Sequence, residues 1–387
     1  MNQIELIDWF CLSDDLRTYD PYDIWKKGIG LKVKELYYQN KLLGFIPAGF
    51  LYLVDLLSDS FQKKIFTPQE YPMVRALASL ALMACYKRTE KEKYLRQTKL
   101  NLDWLTSHYS KGFSGFCWGH NFKWASKNGT YDANTPFITV TPYVLEALTR
   151  YRELTSTKIF DQQIASIFFF IEDDLIRQID EDNFLALSYA PINEPRIVIN
   201  SNSYALFSYS LLINFFPQKQ NEIMNKIERL HRFIIKNQNK DGSWFYYADK
   251  NSGNFIDCFH SCFILKNLLK ASRNLPDFEI DVSTIKVGLK YLEKNFYNNT
   301  SGLFKRFSVT DLPSLIKYDL YDNAEMLNLY FLLNEKNKYE LLKKNIKRWF
   351  LAKSNIYSKI DCMNQKRNRN SLRWAVMPYI YSLSLSL

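Results

Sequence analysis

Two kinds of helical segment alternate along this chain, six of each, and that alternation limits the folds open to it more than any single motif does. The first kind is amphipathic and rich in Lys and Glu: residues 22–38, 96–109, 160–176, 221–238, 282–297 and 338–353. Apolar residues recur there at three- and four-residue steps, as in NEIMNKIERLHRFIIKNQ, so each segment shows one face to water and one to a core. The second kind carries few charges: residues 71–86, 136–151, 199–216, 257–271, 321–333 and 372–387. INSNSYALFSYSLLINFF is apolar on most sides, the pattern of a helix enclosed by neighbours. A hairpin of one outer and one inner helix buries its inner member only against the next hairpin, so six hairpins close on themselves. The expected fold is all-α: an (α/α)6 toroid of six helical hairpins, outer and inner rings alternating, formed as a single domain over 1–387. Its repeats fall at about 22–86, 96–151, 160–216, 221–271, 282–333 and 338–387.

All six connectors that lead from outer to inner helix gather on one rim. Those at 113–135 and 181–200 are long for helical hairpins, and long connectors in compact domains usually carry function. The inner-helix N-termini open there with free N–H groups that favour anions. The 26 Tyr, 28 Phe and 8 Trp of the chain suit an aromatic wall that stacks on flat ligands such as sugar rings, bases or isoprenoids.

The net charge of +11 draws anionic partners by long-range attraction. The densest basic cluster, NQKRNRN at 364–370, sits in a polar connector without a nucleic-acid motif, so no nucleic-acid partner is expected. No apolar run reaches the roughly 20 residues of a transmembrane helix, and MNQIELIDWFCLSDDL lacks the layout of a secretion signal. The expected location is the cytoplasm, with the six scattered cysteines reduced. No sequence feature specifies an oligomeric state.

The rim assembles the candidate site: His260, Asp257, His120 and Tyr246 as catalytic groups, and Trp118, Trp124, Arg196, Asn200, Asn202, Trp244, Asp322, Arg373 and Trp374 as substrate-binding groups. Convergent polar groups among aromatic walls describe a sugar cleft. These residue types suit uronate chemistry, in which a base removes the proton beside the carboxylate and Asn or Arg neutralises the enediolate. His260 is the base with Asp257 orienting it, His120 or Tyr246 the acid, and Arg196, Asn200 and Asn202 the carboxylate grip. C5-epimerases and lyases share that step. Hydrolysis would need two rim carboxylates, for which Asp132, Glu194, Asp257 and Asp322 are available. A non-catalytic glycan-binding protein would use the same walls without a poised base. Structural roles compete at several positions: Asn200, Ser201 and Asp257 suit helix caps, and His260 suits an interior hydrogen-bonded histidine.

Three resemblances bear on these residues. FIIKNQNKDGSWF (233–245) resembles the QW motif of squalene and terpene cyclases through Phe233, Gln238, Gly242 and Trp244, which implies that Trp244 is a wedge between repeats. DCFHSCFILKNL (257–268) resembles the zinc-binding segment of protein prenyltransferase β subunits, but 199–208 supplies Asn200, Ser201 and Asn202 where that site needs an Asp and a Cys. A set drawn from Cys117, His120, Cys258, His260 and Cys262 resembles lanthionine cyclase zinc ligands. Cys258 and Cys262 share a helix face from which His260 points away, so buried thiols are expected rather than a metal or other cofactor. Third, 116–148, 184–212 and 241–268 together resemble the VpsJ-type family encoded with bacterial exopolysaccharide and capsule proteins. Cys117, Trp118, Gly119, Phe122 and Trp124, then Asn134 to Pro136, Asn200 and Asn202, Asp241 to Trp244, and Asp257, Phe259 and His260 carry the likeness. His120 stands where that family commonly has Tyr, and Cys262 where it often has Gly. The resemblance implies a toroid of polysaccharide biosynthesis, without a defined reaction.

Overall fold

The computed structural model describes residues 2–57, 64–276, 278–310 and 314–387. Among them fourteen α-helices of eight or more residues follow in order. They are α1 (Gln3–Cys11), α2 (Gly28–Gln39), α3 (Lys41–Leu57), α4 (Pro72–Thr89), α5 (Glu92–Ser107), α6 (Thr141–Thr155) and α7 (Asp161–Phe169). The second half holds α8 (Ile199–Leu212), α9 (Gln220–Lys236), α10 (Cys258–Asn274), α11 (Val282–Asn295), α12 (Leu320–Leu332), α13 (Lys336–Phe350) and α14 (Met377–Ser384). The inner helices touch in a closed cycle: α4 packs on α6, α6 on α8, α8 on α10, α10 on α12, α12 on α14, and α14 on α4. Every residue of α8 is buried, whereas α9 buries one stripe of Ile223, Ile227, Leu230, Phe233 and Ile234 beside the stem of Lys226. The (α/α)6 toroid of the sequence reading is the observed architecture.

The first repeat is built differently from the expectation. Residues 22–38 are not its outer helix: α2 packs on α3, on the short turn Asp23–Trp25 and on the strand Trp124–Ser126. The outer place belongs to α1, which lies against α4 and α14 through Leu6, Ile7, Phe10 and Cys11. The physical reason is the apolar stripe. α1 has one at helical spacing, while α2 buries only Gly30 fully and leaves Ile29 and Leu36 exposed. The pair α2 and α3 therefore belongs to the first connector, and α3 presents Leu42, Leu43, Phe45, Ile46 and Phe50 outward.

The connectors form a second ring above the helices, stitched at each neighbour. Ile138 N–H donates to the Tyr189 carbonyl, and Ala248 N–H to that of Ile197. Ile256–Asp257 pairs with Phe307–Val309. Ile316–Asp319 pairs with Asn355–Asp361, Leu372 N–H donates to the Thr18 hydroxyl, and Lys123 bonds Glu35 across 3.2 Å. Below the rim the axis is closed. Lys270 Nζ of α10 reaches Glu146 of α6 at 2.7 Å and the Tyr381 hydroxyl of α14 at 3.1 Å, tying three alternate inner helices together. The inner ring is thus filled below the connectors by buried side chains.

Candidate functional site

A circuit of ring contacts runs around the connector rim. From Tyr22 it passes to Trp124 (centroids 6.4 Å apart), Phe122 (6.1 Å), His120 (5.0 Å, stacked), Phe137 (5.5 Å) and Tyr189 (5.0 Å). Tyr246, electrostatically coupled to Tyr189, leads to His260 (4.6 Å), Phe259 (3.9 Å), Trp374 (5.6 Å) and back to Tyr22 (5.0 Å). The first four repeats and the sixth each lend a connector or first inner turn to this circuit, in that order around the rim. Aromatic faces with tilted and edge contacts of this kind form stacking surfaces for sugar rings.

One arc carries an Asp-His pair. Asp257 caps α10, accepting from His260 N–H, and its two carboxylate oxygens lie 2.9 and 2.8 Å from His260 Nδ1. A carboxylate only accepts, so Nδ1 carries a proton, and in the neutral ring Nε2 presents its lone pair. Among the described residues no protein group bonds Nε2. Arg306 lies over Phe259 (4.2 Å) and Trp374 (5.1 Å). Its guanidinium stands 4.0 Å from Asp257, 3.8 Å from Asp319 and 3.7 Å from Asp322, and Nη1 is buried without a hydrogen-bond partner. Burial opposes that charge, but Asp322, Tyr22, Asp319 and Asp257 hold the guanidinium protonated. Burial pushes the Asp322 carboxyl well above the usual range despite Arg306.

The opposite arc is cationic. Lys26 Nζ sits 2.9 Å from Asp23 and 3.3 Å from Asp20, and 4.3 Å from the Phe122 centroid. Arg373 bonds Asp20 and lies 5.4 Å over Tyr71. Burial works against Asp20's charge, yet Arg373 and Lys26 keep its carboxyl below the usual range. His120 has a buried Nδ1 without a partner. Burial, then the Arg373 and Lys26 charges, push its imidazole well down, so it is neutral near pH 7.

Several expected binding residues lie elsewhere. Trp118 is 0% exposed and its indole N–H donates to the Leu105 carbonyl, so it belongs to the core and cannot touch a ligand. Trp244 is also buried, its indole N–H bonded to the Ile234 carbonyl. A Cβ at Gly288 would meet the ring at 3.0 Å, so Trp244 wedges α9 against α11 and is no wall residue. Asn202 is fully buried, accepting from Leu187 N–H at 2.7 Å and donating to the Val198 carbonyl. That anchors a connector and removes it from the carboxylate grip. Arg196 is spent on Asp249 at 2.7 and 2.5 Å and stacks 3.8 Å over Tyr247. Asp322 is buried with Oδ1 on the Phe259 N–H, acting on Arg306 rather than on a ligand.

Asn200 keeps a buried, unpartnered Oδ1 at the start of α8. Trp124, Trp374, Tyr246, His120, His260 and Arg373 remain on or beside the aromatic circuit. Among the described residues no three His, Cys, Asp or Glu groups are arranged to hold a metal ion. Burial keeps the Cys258 and Cys262 thiols protonated.

Sequence reading missed Arg306, Asp319, Tyr22, Lys26 and Lys34. One signal was available: YDLYDN echoes IDCFHS, so Asp319 repeats Asp257 as a helix cap, and Asp322 stands where His260 stands. Arg306 carried no such signal, because its place comes from strand pairing between connectors.

No protein-family model matches the chain, and no curated protein matches it. Solved structures do match in fold. The cellobiose 2-epimerase of Bacillus thermoamylovorans B4167 superposes with a TM-score of 0.64 at 13% identity, covering 82% of this chain and 87% of its own. The GH76 α-mannanase of Bacteroides thetaiotaomicron gives 0.58 at 12%, covering 94% and 97%. A polysaccharide lyase gives 0.57 at 10%, covering 92% and 98%. The chain thus has the toroid fold on which these carbohydrate-active enzymes are built. No helix among the described residues is long and apolar enough to cross a membrane.

Proposed function

We infer that this toroid is a carbohydrate-active enzyme that removes a proton from a sugar carbon next to a carbonyl group, with uronates as the favoured substrates. The observation that carries the reading is the His260–Asp257 pair, whose Nδ1 contacts of 2.9 and 2.8 Å fix the tautomer and leave Nε2 as a base at the rim. His260 Nε2 takes the proton, and the C–H electron pair moves toward the carbonyl oxygen. The resulting enediolate needs a fixed cation, and the Arg306 guanidinium stands 4.0 Å from the same carboxylate through Nη2, while Nη1, between Asp319 and Asp322, makes no hydrogen bond among the described residues. Return of a proton to the other face inverts the carbon. Expulsion of the substituent one carbon further gives an unsaturated sugar.

Tyr246, kept protonated by burial, is a donor whose ring lies 4.6 Å from that of His260. His120 is the second proton carrier, on another arc of the aromatic circuit. Asn200 Oδ1 is an acceptor for a sugar hydroxyl. An epimerase and a lyase among the fold neighbours use scaffolds of this shape, which adds support by analogy.

Hydrolysis is the weaker reading. Glu194 is tied to the Tyr131 hydroxyl and Tyr189 N–H, Asp257 to His260 and Asp322 to Phe259 N–H, which leaves Asp132 without a second free carboxylate. A prenyl-transfer or terpene-cyclase reading keeps the aromatic walls but has no acid motif to use. The resemblance to the VpsJ-type family supports exopolysaccharide or capsule biosynthesis as the setting. A glycan-binding role without catalysis is the outcome if His260 proves inert.

The test incubates the protein with uronate-containing and neutral sugars in heavy water and follows proton exchange by NMR. Deuterium at the carbon beside the carbonyl, lost in His260→Ala, is expected. Glycan binding without exchange would overturn the catalytic reading.

A further inference from the structure

Among the described residues, Lys34, carried over the rim by α2, is a cation of the basic arc without a counterion. Its Nζ lies 2.9 Å from the Trp124 ring centroid, is buried, and has no hydrogen-bond partner. Lys26 and Arg373, the cations that act on it electrostatically, are already matched by Asp20 and Asp23. Lys34's nearest charged neighbours in sequence do not help: Glu35 pairs outward with Lys123. From α3, Asp55 acts on Lys359. A buried ammonium is disfavoured without an anion to balance it, so an anionic group brought to this aromatic arc would gain Lys34 as a partner.

We propose that Lys34 holds an anionic group of the sugar ligand, a carboxylate or a phosphate, on the arc of the cleft opposite His260. The assignment rests on the sugar-cleft reading above and names the substrate class more narrowly: a glycan whose negative charge lies away from the carbon that reacts at His260, as in a polyuronate or a phosphorylated sugar. Lys34 Nζ covers one face of the Trp124 ring and supplies the charge beside it, while His120, with its own unpartnered Nδ1, is an uncharged hydrogen-bonding group on the same arc. Burial and the Lys26 and Arg373 charges push the Lys34 ammonium below the usual lysine range, and a bound anion reverses that pressure. Because Lys34 rides on α2, ligand charge also fastens the first connector onto the second.

Calorimetric or NMR titrations with glucuronate, glucose 6-phosphate and glucose at low ionic strength test this in the intact protein, its Lys34→Met and Lys34→Arg variants, and a Lys27→Met control on the same connector. Lys34→Met should weaken at least one of the two anionic sugars ten-fold or more while glucose affinity holds. Lys34→Arg and Lys27→Met should retain that anion's affinity. Whichever anion loses affinity identifies carboxylate or phosphate as the group bound. Equal effects of Lys34→Met on charged and neutral sugars, or none on either anion, overturn the subsite. Deuterium exchange at His260 is read separately, so its absence alongside a Lys34-dependent anion preference removes the proton-abstraction reading and leaves the subsite standing.

Discussion

Asp257 does two jobs with one carboxylate, capping α10 and orienting His260, and the two can be separated by substitution. Asn caps nearly as well as Asp, but its amide cannot balance a forming imidazolium. Asp257→Asn should therefore lower proton exchange roughly 10²- to 10⁴-fold with a melting temperature near that of the parent, whereas Asp257→Ala should add about 1 kcal/mol of destabilisation in denaturant titrations. An Asn variant with parental exchange would return Asp257 to capping alone. Asn202 behaves in the opposite way. Asn202→Ala strands the Leu187 N–H that its Oδ1 accepts, at about 1–3 kcal/mol of stability, and glycan titrations should show no change in affinity. His260, Asp257 and the aromatic residues were legible in the sequence because their types and spacing are unusual. The separation of Trp124 from Trp118, or of Asn200 from Asn202, was not. Trp118 and Trp124 share one connector and Asn200 and Asn202 the first turn of α8, and which member of each pair meets the rim is set only once their neighbours are in place.

At the scale of elements, the difference between α1 and α2 shows how an apolar stripe decides a helix's place. Both are short helices ahead of α4, and α2 is the longer and more basic. Ile7 of α1 is 0% exposed and Ile29 of α2 is 76% exposed. Ile7→Ala should destabilise the protein by about 2–5 kcal/mol, while Ile29→Ala should stay within about 0.5 kcal/mol. Comparable losses at both positions would restore α2 to the outer ring. Connector geometry is equally exacting at Gly119, which bridges to Pro136. A Cβ there would lie 1.9 Å from the Thr135 carbonyl oxygen, so Gly119→Ala must push the two strands apart at roughly 1–3 kcal/mol and shift the His120 ring resonances. Unchanged stability and His120 signals in that variant would contradict the close approach.

For the molecule as a whole, the rim seams make stability depend on pH. Glu194 joins the second and third connectors through the Tyr131 hydroxyl, and burial raises its carboxyl from 4.5 to about 7. The folded state therefore holds a proton that the unfolded chain releases between those values. This contribution is fully present below about pH 4.5 and is lost as pH rises to about 7, by up to about 3 kcal/mol. Chemical denaturation across that window should show the parent losing stability relative to Glu194→Gln. A parallel pair of curves would mean that Glu194 is charged in the fold throughout.

By itself the sequence determined the six-fold alternation of half-buried and fully buried helices, and with it the toroid, because burial periodicity is written in residue order. It also placed an Asp-His pair at the head of the fourth inner helix, since a cap and a side chain three residues on must meet in the first turn. Only the tertiary structure decided which first-repeat helix faces outward, which tryptophans line the rim, that Arg306 stands between three carboxylates, and that Lys34 meets none among the described residues. Those outcomes depend on contacts between connectors distant in sequence, where strand pairing and ring closure set which charges meet.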